Sequence, residues 1–286
     1  LGDVVLGFDS PAAYAASDTY LGATVGRNAN RIKNARFQLD GQVWKVQPMF
    51  GPHNLHSGPD FFHRRLWTVE RVPQSSVTFL LDSPHMDQGF PGNAQIRVTY
   101  TLEYPSCLTI SYDASCDRVS VFNMTNHSFF NLAGHDRSDL AMKQTLMLPS
   151  QRYTVCNRAN IPTGEMRSVA GTPMDFRKPK AIGQDIRGFF GGYDHNFEVF
   201  CNPCAILTDP ESGRSMSVVT DCPGVQLYTA NFLNETGKGG IYYGKRSGIA
   251  LETQYYPDSV NHPEWPQPFT KAGKHYKSET VYKFSW

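Results

Sequence analysis

The sequence predicts an all-β protein, a large antiparallel β-sandwich folded as a single domain over residues 1–286. Three observations carry that expectation. Short segments in which apolar and polar residues alternate with period two recur along the chain, the pattern of strands with one buried face. The 24 glycines and 19 prolines fall between them, and beside an aromatic content of 13% they read as turns rather than disorder. Helical periodicity is scarce. A chain of this length can bury a substantial core, and sandwiches of this size commonly form one domain.

Taken in order, PAAYAAS at 11–17 reads as a short turn of helix. FQLDGQVWKV at 37–46 reads as two strands joined by Asp40-Gly41, the strongest short hairpin signal. SVTFLLD at 76–82 is a strand candidate. IRVTYTLE at 96–103 alternates Ile96, Val98, Tyr100 and Leu102 with polar residues, and LTISYDA at 108–114 repeats the pattern with Leu108, Ile110 and Tyr112. VSVFNMT at 119–125 follows as a strand, and PKAIGQDI at 179–186 as a second short helix. NFEVF at 196–200, MSVVTD at 216–221 and VQLYTANF at 225–232 complete the strand set. No linker, repeat or low-complexity segment interrupts the series.

Charge narrows the function. With 27 Lys and Arg against 26 Asp and Glu the net charge is +1, and no basic cluster dominates, so neither nucleic acid nor an anionic membrane is an expected partner. RKPK at 177–180 and KRS at 245–247 are short and read as solvated surface. No apolar run reaches the length of a membrane span and no signal peptide is visible, so a cytoplasmic protein is expected, monomeric or a weak dimer. Of six cysteines only Cys201 and Cys204 form a CxxC, and no second pair completes a zinc site. Free thiols in a reducing cytosol are the expectation. His53 and His195 lack the companions a catalytic zinc needs, and no dinucleotide, P-loop or nucleophile-elbow motif is present. No metal and no cofactor are expected. Sequons stand at Asn123, Asn126 and Asn234; the first two lie in the segment 123–134, which carries a candidate site that a glycan would block.

Two segments carry chemistry. NMTNHSFFNLAG at 123–134 places the imidazole of His127 ahead of two adjacent rings, Phe129 and Phe130. GIALETQYYPDSVNHPEWP at 248–266 places Glu252 after Ile249, Ala250 and Leu251, a lead-in that implies burial. An imidazole and a buried carboxylate, brought together by the fold, make a general acid and a general base.

The stretches GRNANRI (26–32), NLHSG (54–58), TNHSFFNLAG (125–134), YDHNFEV (193–199), PGVQLYTANFL (223–233) and LETQYYPDSVNHP (251–263) resemble the aldose 1-epimerases, the galactose mutarotase family, in the family's order. The resemblance implies a sandwich of the galactose mutarotase type with its site in a groove across one sheet. It implies interconversion of the α and β anomers of free hexoses, with Glu252 as base and His127 as acid. It also implies that Asn30, Arg31, His56, Asp194 and Gln226 bind the sugar. Phe130, Tyr228 and Tyr255 are candidates for stacking on its C–H face. Ser57 stands where the family has glycine. The family's first N-terminal strands are expected to lie upstream of DVVLGFD at 3–9, so that sheet edges here would lack partners. Two alternatives stay open. A hexose-6-phosphate 1-epimerase would need Arg27, Arg31, Arg64 and Arg65 to converge on the phosphate; a non-catalytic sugar-binding protein would need no matched acid and base.

Overall fold

A computed structural model describes residues 2–188 and 191–286. Two sheets face each other across the main core. The larger has nine strands, in spatial order Lys180–Ala181, Thr145–Met147, Ala205–Thr208, Ser215–Thr220, His275–Ser285, Cys107–Cys116, Ala94–Glu103, Ser76–Ser83 and Thr68–Arg71. The smaller has six: Phe129–Phe130, Ile249–Gln254, Gly224–Tyr228, Asp194–Glu198, Arg152–Cys156 and Pro162–Ser168. Neighbouring strands in both run antiparallel. Ile96, Val98, Ile110, Tyr112, Met216 and Val218 from the larger sheet meet Phe197, Val225, Leu227, Ile249 and Leu251 from the smaller in one continuous cluster. That is the inward-facing alternation of a β-sandwich. Among the described residues no helix is long and apolar enough to cross a membrane.

The expected hairpin forms as Arg36–Leu39 paired with Gln42–Lys45, with Asp40 at φ 52° and Gly41 at φ 74°. Positive φ at both central residues is what a two-residue turn matching the strand twist requires. The helix at Pro11–Ala16 also forms, Ser10 accepting the Ala13 N–H at its start. Three expected elements differ. Residues 179–186 do not form a helix: Lys180–Ala181 joins the edge of the larger sheet, and Ile186–Gly188 makes a single 3₁₀ turn. There the Gly183 N–H reaches the Met142 carbonyl at 2.8 Å, an approach that draws the backbone to its neighbour rather than into a coil. Residues 119–125 split into Ser120–Val121 and part of Thr125–His127, because the two halves pair with different partners, Phe269–Thr270 and Ala23–Val25. The strand expected over 225–232 stops at Tyr228, where the chain turns through Ala230 at φ 48°. Any strands preceding Leu1 lie outside the described residues.

Candidate active site

The Ile249–Gln254 strand is buried on both faces. Ile249 and Leu251 enter the main core, and Thr253 follows them, sharing a 2.5 Å hydrogen bond with Thr280 of the larger sheet. Period two therefore turns Glu252 to the opposite face. Register places Gln226 beside Glu252 and Asn196 beside Gln226, a polar row across three strands. Asp194 sits one pleat away, opposite Tyr228. Its carboxylate accepts from Gln226 Nε2 at 2.6 Å, Asn160 Nδ2 at 3.0 Å and Arg31 Nη2 at 3.4 Å. Asn160 escaped the sequence reading. It projects from a turn in which Asn157 Oδ1 accepts the N–H groups of Ala159 and Ile161, and its own φ is 56°. The NRAN turn chemistry is the one signal that marked it.

The remaining residues arrive on short paired strands and turns packed over this face. Thr125–His127 pairs with Ala23–Val25, and it brings His127 Nε2 to 3.6 Å from Glu252 Oε1. Arg31 lies opposite Leu55, so GRNANRI and NLHSG reach the site as one paired unit. His56 and Ser57 both adopt the left-handed region, at φ 52° and 59°. The serine holds a glycine-like conformation because its hydroxyl accepts from the Asn28 N–H at 2.8 Å and donates to the Asn28 carbonyl at 3.0 Å. His56 Nδ1 accepts the Asn30 N–H at 3.1 Å, which fixes the ring proton on Nε2. Asn30 Oδ1 in turn accepts from Arg31 Nη1 at 3.2 Å. Asn30 thus holds both His56 and Arg31. The fold brings all seven of the residues singled out from sequence into one cluster.

Burial sets the electrostatics. Glu252 is pushed well above the usual carboxylate range, by burial first and the Asp194 charge second, with Arg31 opposing. His127 is pulled down to about 4, again by burial first, while its own backbone carbonyl and Asp194 draw it up and His63 draws it down. His56 falls well below 6.5 through burial, then through His127, Arg31 and His63. Glutamate holds its proton to higher pH than usual and histidine gains one only near pH 4. Between those limits the His127–Glu252 pair carries a single proton. Because the two groups are coupled, the limits belong to the pair. The pH dependence of kcat/KM should therefore show an acid limb near 4, far under the ordinary histidine value, and an alkaline limb above the ordinary carboxylate range. An acid limb at 6.5 in a steady-state pH series would refute this assignment.

Donor atoms of His56, His127 and Glu252 lie within 4.8 Å of one another, close enough to suggest two histidines and a carboxylate on a metal. The tautomer argues otherwise. With the Asn30 N–H on Nδ1, His56 presents a proton on Nε2, not a lone pair.

A sequence model described as aldose 1-epimerase matches residues 1–283. The chain belongs to the aldose 1-epimerase family. It is similar to the galactose mutarotase of Bos taurus, at 41% identity over 99% of this chain and 84% of that one. It is similar to the aldose 1-epimerase of Haemophilus influenzae at 40%, over 95% of this chain and 82% of the other. The crystal structure of an aldose epimerase homologue from C. elegans superposes with a TM-score of 0.93 at 33% identity, covering 99% of this chain and 87% of that one. The family membership and the sandwich agree.

Within this aldose 1-epimerase fold the four arginines considered for a phosphate do not converge. Arg27 is wholly buried, and its five N–H groups reach six oxygens, Ser83 Oγ and O, Pro84 O, Pro91 O, Gly92 O and Ser120 Oγ, with Nη2 shared among three of them. Arg64 pairs with Asp18, and Arg65 with Asp60 and Asp87. Arg31 alone of the four stands at Asp194. Phe130 is no stacking surface either, since it lies in the main core with its ring 5.2 Å from that of Tyr282. Tyr228 stays at the site, its ring 6.0 Å from His127.

Proposed function

We propose that this protein is an aldose 1-epimerase that interconverts the α and β anomers of free hexoses, galactose and glucose among them, and that residues 1–286 act as one catalytic unit. The observation that carries the reading is the His127–Glu252 pair, 3.6 Å apart and buried, beside the carboxylate of Asp194. With the pair's single proton shifted onto His127 as the sugar binds, Glu252 accepts the proton of the C1 hydroxyl as His127 delivers its own to the ring oxygen. The C1–O5 bond breaks, an aldehyde forms, and the C1–C2 bond rotates. Ring closure on the other face of the aldehyde runs both transfers backwards, so the pair ends with the one proton it began with. One proton shared between the two groups lets each act as acid in one direction and as base in the other. Asp194, Arg31 and Gln226 supply acceptors and fixed donors for vicinal hydroxyls, and His56 supplies an Nε2 proton. A sugar-binding protein without chemistry has no use for the buried pair, and the arginine arrangement offers a 6-phosphate no cluster. All six cysteines are free, which supports a reducing compartment.

Polarimetry on freshly dissolved α-galactose and α-glucose tests the reading. Both rotations should relax to equilibrium faster with enzyme than without, and α-glucose 6-phosphate should be the poorer substrate. No acceleration with either free sugar would sink it.

A further inference from the structure

Resting on that reading, we infer that Tyr20 is a positioning residue for the reaction: its ring wedges against both site imidazoles, fixing their orientation and sealing them from water. Its centroid lies 5.0 Å from that of His56 and 5.6 Å from that of His127, and the two imidazoles are themselves 5.5 Å apart. On its other sides Tyr20 meets Phe61 at 5.2 Å and His63 at 5.0 Å. One phenol ring therefore bridges the acid and the hydroxyl-binding histidine, and buttresses them against a second aromatic shell. The backbone supports this reading. Tyr20 sits at φ 58°, a conformation that costs a bulky side chain energy and persists where the surroundings require it. The turn is closed by the Ala23 N–H on the Tyr20 carbonyl at 3.0 Å, directly ahead of the strand that pairs with His127. The phenol oxygen makes no hydrogen bond with the other described residues, so the ring is the working part.

The groups around His127 show what the wedge controls. Glu252 approaches from its strand, Asp194 from two strands away in the same sheet, His56 from its loop and His63 from the 3₁₀ turn Phe62–Arg64, and Tyr228 and Phe129 complete the wall. Both phenols, Tyr20 and Tyr228, are pushed up to about 12 by burial and stay neutral. Burial is the first cause of the lowered His127 value, so a variant that admits water at Tyr20 raises it.

The test compares Tyr20→Phe, Tyr20→Leu and Tyr20→Ala in the full chain. Phenylalanine should keep kcat within about twofold. Leucine and alanine should lower kcat by roughly 10- to 100-fold, the cost of misplaced catalytic groups, with a smaller change in KM. In parallel, NMR titration of the histidine ring protons should show the His127 midpoint moving from about 4 towards 6.5 in the alanine variant. If alanine prevents folding, leucine decides. Unchanged kcat and an unchanged His127 midpoint in the leucine variant would overturn the inference, as would a loss in the phenylalanine variant equal to that in leucine. The titration needs no turnover, so a wild-type protein inactive in polarimetry would end the functional reading while leaving Tyr20 still under test.

Discussion

Glu252→Gln and His127→Asn should each leave a folded protein whose kcat has fallen by at least about 10²-fold, the lower end of what a positioned general acid or base contributes. Glutamine keeps the volume of Glu252 but takes no proton from the C1 hydroxyl. Asparagine in place of His127 has no group that titrates. The two losses should not add in the double variant, because a proton taken by one member is useful only if the other delivers one. Stability should move the other way for Glu252→Gln. The folded carboxyl titrates above its ordinary 4.5, so its favourable contribution is complete below 4.5 and is lost as pH rises through the folded value. Glutamine has no such loss, and its melting temperature relative to wild type should climb as pH rises above 4.5. A Glu252→Gln enzyme with near-wild-type polarimetric activity would remove the carboxylate from the mechanism, whatever its stability.

Asp194→Ala should lower kcat/KM by roughly 10- to 100-fold, the about 1–3 kcal/mol cost of one hydrogen bond left unmade to the sugar, and it also takes an acceptor from Gln226, Asn160 and Arg31. The pH profile supplies a second readout. The Asp194 charge raises the affinity of both Glu252 and His127 for protons. Removing it stabilises the glutamate anion and destabilises the imidazolium, so both limbs should shift to lower pH together. A variant that loses activity with both limbs unmoved would mean that Asp194 acts only as a hydroxyl acceptor, with no hold over the pair.

Much of the fold was legible wherever one face of a strand is apolar. Ile96, Val98, Ile110 and Tyr112 alternate with polar residues, and each enters the core. The strand His275–Ser285 was not legible, although it is central to the larger sheet. Its inward residues include Ser278 and Thr280 between Tyr276 and Tyr282, so buried hydroxyls break the apolar period. Those hydroxyls are accommodated by partners no periodicity reveals, Tyr276 for Ser278 and Thr253 for Thr280. At the site, motif identity picked out residues that the fold gathers from distant segments. The Asn30 N–H on His56, the crowding of three imidazoles around Tyr20 and the amide of Asn160 on Asp194 depend on loop conformations at positive φ, which a string of letters does not display.

Arg27 and Arg31 stand four residues apart in a single motif and face opposite ways. The first commits its guanidinium to six oxygens of the protein's own interior; the second, also buried, reaches Asp194 at the site. Genetic variation at the two positions would therefore look alike in a crude extract while differing in cause. A change at Arg27 should act on abundance, by leaving buried carbonyls without a donor, and a change at Arg31, on the proposed reading, on each surviving molecule's turnover. Variants in such a motif are sorted correctly only when the amount of protein is measured beside its activity.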